Sequence, residues 1–164
     1  MIIFGAARED NGIKGYTLID MMLIIVISGI LLLVANSMFT NFGKNTNLHE
    51  AAGALTGDIK LAKQRSVAEN VNYSIILDIN SNSYTMNKYD SNGNMITTPI
   101  KTIKLSNFGN GISIKSSNNT ITFLPRGTCN VSGTITLQNS LKSEIDIIAS
   151  PMGRIRNAYR IKYL

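Results

Sequence analysis

Tyr16-Thr17-Leu18-Ile19-Asp20-Met21-Met22-Leu23-Ile24-Ile25-Val26-Ile27-Ser28-Gly29-Ile30-Leu31-Leu32-Leu33-Val34-Ala35 is a run of twenty residues with a single charge, Asp20. As a helix it is about 30 Å long, the thickness of a bilayer core. Twelve of its residues are Leu, Ile or Val, and at mid-bilayer they favour insertion by roughly 4 to 7 kcal/mol in sum. One acid near the start of the window does not reverse that balance. No further charge follows until Lys44. A soluble core helix this apolar needs a large protein around it, and the remaining chain is small and strand-rich. The run therefore predicts a membrane-spanning helix.

Outward from it, the composition fits an anchor plus one compact domain. The chain has 164 residues, of which 44% are hydrophobic and 16% charged, against about 25% charged in an ordinary soluble domain. A net charge of +6 points to anionic partners such as nucleic acid, phospholipid or acidic protein without choosing among them. Cys129 is the one cysteine and His49 the one histidine, so neither an internal disulfide nor a zinc or redox motif can be written. There is no GxSxG, no Walker A and no Cys–His pairing. No enzyme activity, catalytic residue, metal or cofactor is expected.

The segment before the run is unlike a secretory signal, in which the cleavage site follows the apolar core. Here Arg8, Glu9, Asp10, Asn11 and Lys14 precede it. Gly15-Tyr16-Thr17-Leu18-Ile19-Asp20 resembles the prepilin processing motif of type IV pilins and type II secretion pseudopilins. The resemblance implies that a prepilin peptidase cuts between Gly15 and Tyr16 on the cytoplasmic side and that Tyr16 is then methylated. It also implies assembly roles for Thr17 and Asp20. Where the family usually has Glu this chain has Asp20, which keeps the charge and shortens the reach by one methylene. In the family that carboxylate meets the terminal ammonium of a neighbouring subunit in hydrocarbon, where either charge alone would be costly.

Past a polar stretch at 36–47, Leu48, Ala51, Ala52, Leu55, Ile59, Ala62 and Val67 recur at spacings of three and four, the stripe of an amphipathic helix. Asp58, Lys60, Lys63, Arg65 and Glu69 fall largely off it. Gly43, Gly53 and Gly57 predict a bend or local melting, Asn70 marks the helix end, and His49 is expected on the solvated side. Short β-rich runs then follow at 72–79, 83–89, 102–105, 111–115, 120–124, 133–138, 144–149 and 154–161. Several alternate apolar and polar residues, so one face is buried and one wet. Asp78-Ile79-Asn80-Ser81-Asn82 and Asp90-Ser91-Asn92-Gly93-Asn94 start like calcium loops but lack the sixth-position Gly and twelfth-position Glu, and are expected as hairpin turns. Cys129 is expected in a loop, as a spectator or an intermolecular crosslinker.

Phe123-Leu124-Pro125-Arg126-Gly127, the strand from Gly133 to Leu137, and Gly153-Arg154-Ile155-Arg156 resemble the C-terminal half of GspH/FimT-type minor pseudopilins. The implied fold is α+β and pilin-like, a long N-terminal transmembrane and amphipathic helix packed on antiparallel β-sheet. The expected organisation is a leader at 1–15, a transmembrane helix at 16–40, a stem helix at 41–70 and a β-rich globular domain at 71–164. The implied role is a structural subunit of a type IV pilus or type II secretion pseudopilus. Its implied partners are prepilin peptidase, other pilins or pseudopilins, an inner-membrane assembly platform and membrane lipid. It would sit single-pass in the bacterial inner membrane, N-terminus cytoplasmic and globular domain outside the cytoplasm, before joining a filament. Arg154, Arg156, Arg160 and Lys162 share strand parity and suggest a basic stripe. FimT-type relatives bind DNA during natural transformation through arginines matching Arg154 and Arg156, so DNA is an alternative partner. A cationic edge strand that prevents aggregation, or pairs with a neighbouring pilin, explains the same stripe.

Overall fold

In the structure, a computed structural model, residues 17–90, 92–96, 98–117 and 120–162 are described. Gly15 and Tyr16, the expected processing site, lie outside them. The chain divides into two compact units, Met1–Met38 and Phe39–Leu164.

Helix α1 spans Leu18–Glu69. It begins with a capping box. The backbone N–H and the hydroxyl of Thr17 donate to the Asp20 carboxylate at 2.9 and 2.8 Å, and the Asp20 N–H donates to the Thr17 hydroxyl at 3.3 Å. In the first unit the large apolar side chains from Leu18 to Leu33 are all exposed, as Ile25 at 71% and Leu33 at 78% illustrate. The helix runs through Gly43, Gly53 and Gly57 without interruption, so the local melting expected there does not occur. No proline interrupts it, and a single glycine costs only about 1 kcal/mol. It stops where expected. Asn70 takes φ 53° and the Val71 N–H reaches back to the Ser66 carbonyl at 3.3 Å, a Schellman closure that needs a left-handed residue just past the helix.

Among its described residues the second unit holds nine strands: β1 Asn72–Asp78, β2 Ser83–Tyr89, β3 Lys101–Lys104, β4 Ser113–Ser117, β5 Thr120–Phe123, β6 Cys129–Val131, β7 Gly133–Gln138, β8 Glu144–Ala149 and β9 Ile155–Arg160. They form two antiparallel sheets, ordered β3-β2-β1-β5-β6 and β4-β7-β8-β9. Leu48, Ala51, Ala52, Leu55, Ile59 and Ala62 of α1 are buried in one cluster with inward residues of both sheets, among them Tyr73, Ile75, Phe123, Ile135, Leu137 and Ile147. Burial of each such Leu or Ile is worth about 1.5 to 3 kcal/mol. The helix stripe is thus the cover that both sheets need. Val67, expected on the stripe, is exposed.

The Asp78 loop is a hairpin turn. Its carboxylate accepts the N–H groups of Asn80 and Ser81, at 2.9 and 3.3 Å. Asp90 caps its own turn likewise, accepting from the N–H groups of Asn92 and Asn94. Cys129 is not in a loop: it opens β6 and is buried. Burial pushes its thiol up from the ordinary value, which removes it from ready crosslinking.

Candidate functional site

Two glycine turns and one strand build the C-terminal site. The first turn follows β5, where the Gly127 N–H bonds to the Leu124 carbonyl at 2.8 Å. The second joins β8 to β9, where the Gly153 N–H bonds to the Ser150 carbonyl at 2.8 Å. Both glycines have left-handed φ, 77° and 71°, a region that a Cβ disfavours. They also touch: a Cβ on Gly153 would lie 2.0 Å from the Gly127 carbonyl oxygen. From α1, the Lys63 ammonium donates to the Gly153 carbonyl at 2.9 Å, and the Ser66 hydroxyl donates to the Leu124 carbonyl at 3.1 Å. The Phe-x-Pro-x-Gly and Gly-Arg-x-Arg segments are therefore one stacked unit held by the helix.

That unit delivers Arg154 and Arg156 to the outer face of the second sheet. Both are exposed, and among the described residues neither has a carboxylate partner. With Ile148, Ser150 and Met152 they line a shallow cavity of about 420 Å³. Arg160 shares their parity but not their surroundings. Its guanidinium lies 2.7 Å from the Asp146 carboxylate and 3.2 Å from that of Glu144. Glu144 is opposite Arg160 in the β8–β9 register and also pairs with Lys115. Lys115 foremost, with Arg160 adding, holds the Glu144 carboxyl below the usual range. Lys162 is exposed beyond the end of β9. Its backbone is tied down, the N–H donating to the Ser143 hydroxyl at 2.9 Å and the carbonyl accepting from Asn45 at 3.3 Å. The expected four-cation stripe is thus a free pair, Arg154 and Arg156, then a cation committed to two acids, then a lysine at the strand's exit.

Two buried polar groups went unread in the sequence. Asp58 lies on the inner side of α1, only 6% exposed. It accepts from the Tyr84 hydroxyl at 2.8 Å and from the Lys101 ammonium at 2.7 and 2.8 Å. Burial and that carboxylate push the Tyr84 phenol far above its ordinary value. Its position three residues after Leu55 was the available signal. Asn45 and Asn139 form the second group, at 2.8 Å, and Asn139 also reaches the Lys44 carbonyl at 3.2 Å. His49, on the exposed side, stacks on Tyr159 of β9 with ring centroids 5.2 Å apart. Among the described residues no group of three or more His, Cys, Asp or Glu side chains is placed to hold a metal ion.

Residues 51–153 match the family model described as type II transport protein GspH. The chain belongs to the GspH family. Solved structures share the GspH-type fold. The type IV minor pilin FimU of Pseudomonas aeruginosa is 17% identical, with a TM-score of 0.56 over 70% of this chain and 90% of that one. The minor pseudopilin EpsH of Vibrio cholerae is 10% identical, with a TM-score of 0.56 over 69% and 97%. No curated protein matches in sequence. The α+β pilin-like architecture expected from the GspH/FimT resemblance is the one observed, a long N-terminal helix packed on antiparallel sheets. The GspH family and both neighbours are pilin-type proteins rather than enzymes.

Proposed function

We propose that this chain is made as an inner-membrane precursor, trimmed between Gly15 and Tyr16 by a prepilin peptidase, methylated on Tyr16, and drawn into a filament as a minor pilin or pseudopilin. The observation that carries this reading is one helix with two uses. From Leu18 to Leu33 its exposed side chains are apolar apart from Asp20, Ser28 and the glycine at 29, as suits a lipid-facing or helix-packing segment. Its later turns are the buried cover of the GspH-matching domain. Residues 1–15 serve as the cytoplasmic leader, 16–40 cross the membrane, 41–70 form the stem, and 71–164 lie outside the cytoplasm. Asp20 adds a feature of its own. Its carboxylate already satisfies Thr17 at the helix start, so pairing with a neighbour's ammonium trades one hydrogen-bonded state for another. Mass spectrometry of the membrane-extracted protein tests the route. An N-methylated start at Tyr16 supports it, whereas release of a soluble fragment cut after Ala35 overturns it.

A second reading, DNA capture, is favoured by one observation, that among the described residues no acid pairs with Arg154 or Arg156. Two phosphate contacts give a log–log salt slope of about −1.4 on single strands. Arg160, held by Asp146 and Glu144, adds little to that figure. A gel shift of the detergent-solubilised full chain, lost in Arg154→Ala plus Arg156→Ala, supports capture; no shift at low salt rejects it.

A further inference from the structure

Beside the second glycine turn, α1 and the start of β9 frame a groove of about 560 Å³. Val67, Ala68 and Ile155 supply its apolar walls, and Lys60, Lys63 and Arg154 stand around them. Among the described residues no carboxylate lines it. Val67 is 52% exposed. β9 is also the last strand of its sheet, so one edge of it is open among the described residues. The Ser150 N–H donates to the Arg154 carbonyl at 2.9 Å, and Ile148 lies opposite Arg156. Antiparallel hydrogen-bonded pairs recur every second residue, which places Arg156, Ala158 and Arg160 on the bonded side. The backbone N–H and C=O groups of Ile155, Asn157 and Tyr159 therefore face the open edge.

We infer that this groove and the open edge of β9 receive an extended, acidic segment of a neighbouring subunit, added as a further strand. The inference rests on the reading of the chain as a filament subunit. An added strand satisfies the row of unpaired backbone groups. Its carboxylates match Lys60 and Arg154, and an apolar side chain at alternate positions covers Val67 and Ile155. A nucleic acid strand would meet the cations and leave both the backbone row and the apolar walls unmatched.

The full-length chain in detergent micelles is titrated with a short synthetic peptide of alternating Val and Glu. A Lys-for-Glu version and a single-stranded oligothymidylate are the controls. The acidic peptide is expected to bind about tenfold more tightly than the basic one and to slow amide exchange at Ile155, Asn157 and Tyr159. Lys60→Glu, on the exposed helix surface, is expected to weaken it about tenfold. Asn157→Pro removes an edge N–H without touching the bonded side and is expected to abolish binding. Asn157→Ala loses the same side-chain contact to Thr56 and is expected to retain it. Should Asn157→Pro fail to fold, Lys60→Glu and amide exchange decide alone. Equal binding of the two peptides, unprotected edge amides, or a Lys60-dependent site that takes only oligothymidylate overturns the inference. If any of these is found in a chain that is still cut after Gly15, the filament reading stands and only the docking site falls.

Discussion

Gly153→Ala is expected to destabilise the globular part by about 2 to 5 kcal/mol, from two costs that add. Holding a residue with a Cβ at φ 71° costs about 1 to 2 kcal/mol. The Cβ would also sit 2.0 Å from the Gly127 carbonyl oxygen and 3.2 Å from Lys63 Cε. The lysine can swing aside, but the carbonyl belongs to a turn closed on Leu124, so overpacking adds about 1 to 3 kcal/mol. Gly93→Ala separates the two costs. Gly93 has φ 83° and, among the described residues, no atom beyond its chain neighbours within 4 Å of an added Cβ, so only the backbone cost of about 1 to 2 kcal/mol remains. Thermal melting of the full chain in micelles, followed by circular dichroism, reads both. At roughly 2 to 4 °C per kcal/mol for a chain of this size, Gly153→Ala should lower Tm by near 10 °C and Gly93→Ala by near 4 °C. Equal shifts, or a larger one at Gly93, would refute the claim that the two turns are stacked against each other.

Leu55→Ala should cost about 2 to 5 kcal/mol in the same melt, because Leu55 is fully buried where α1 meets both sheets. Asp58→Ala strands the buried Tyr84 hydroxyl and should cost about 1 to 3 kcal/mol, while Tyr84→Phe with Asp58 intact should cost less. Acid sensitivity follows from Glu144 and Glu69, whose carboxyls Lys115 and Lys88 respectively hold below the ordinary 4.5. A depressed folded-state pKa stabilises above the unfolded value and is lost as pH falls through the folded one, so Tm should drop below about pH 4.5. Glu69→Gln plus Glu144→Gln should flatten that drop, and an unchanged slope counts against both pairs. Cys129 should react slowly with maleimide in the native chain and fast in denaturant; equal rates would contradict its burial.

Sequence periodicity carried the parts of the fold that repeat. The helix stripe from Leu48 to Ala62 and the alternation in β7 and β8 each contain enough residues to declare a period, and Asn70 is a local stop signal. β6 has three residues, too few for any period, so Cys129 read as loop. The polar residues 36–47 carry no stripe, yet no proline breaks them and the helix passes through. Asp58 was set apart because charge outweighed its place among Leu55, Ile59 and Ala62. At the basic strand, parity was readable and company was not. Whether Glu144 faces Arg160 depends on the β8–β9 register, which is fixed by the turn at 150–153 and not by either strand alone.

The carboxylates of Glu144 and Asp146 balance Arg160 and Lys115, so the positive field raised by Arg154 and Arg156 is cancelled further along a single β-strand. Arg156 and Arg160 are four residues apart, about 13 Å along a strand, more than the roughly 8 Å over which salt screens charges at physiological strength. A polyanion lying lengthwise on β9 would be drawn in at one end and meet a charge-balanced cluster midway. One crossing the strand near Arg154 meets attraction only, so this surface discriminates by angle of approach as well as by charge.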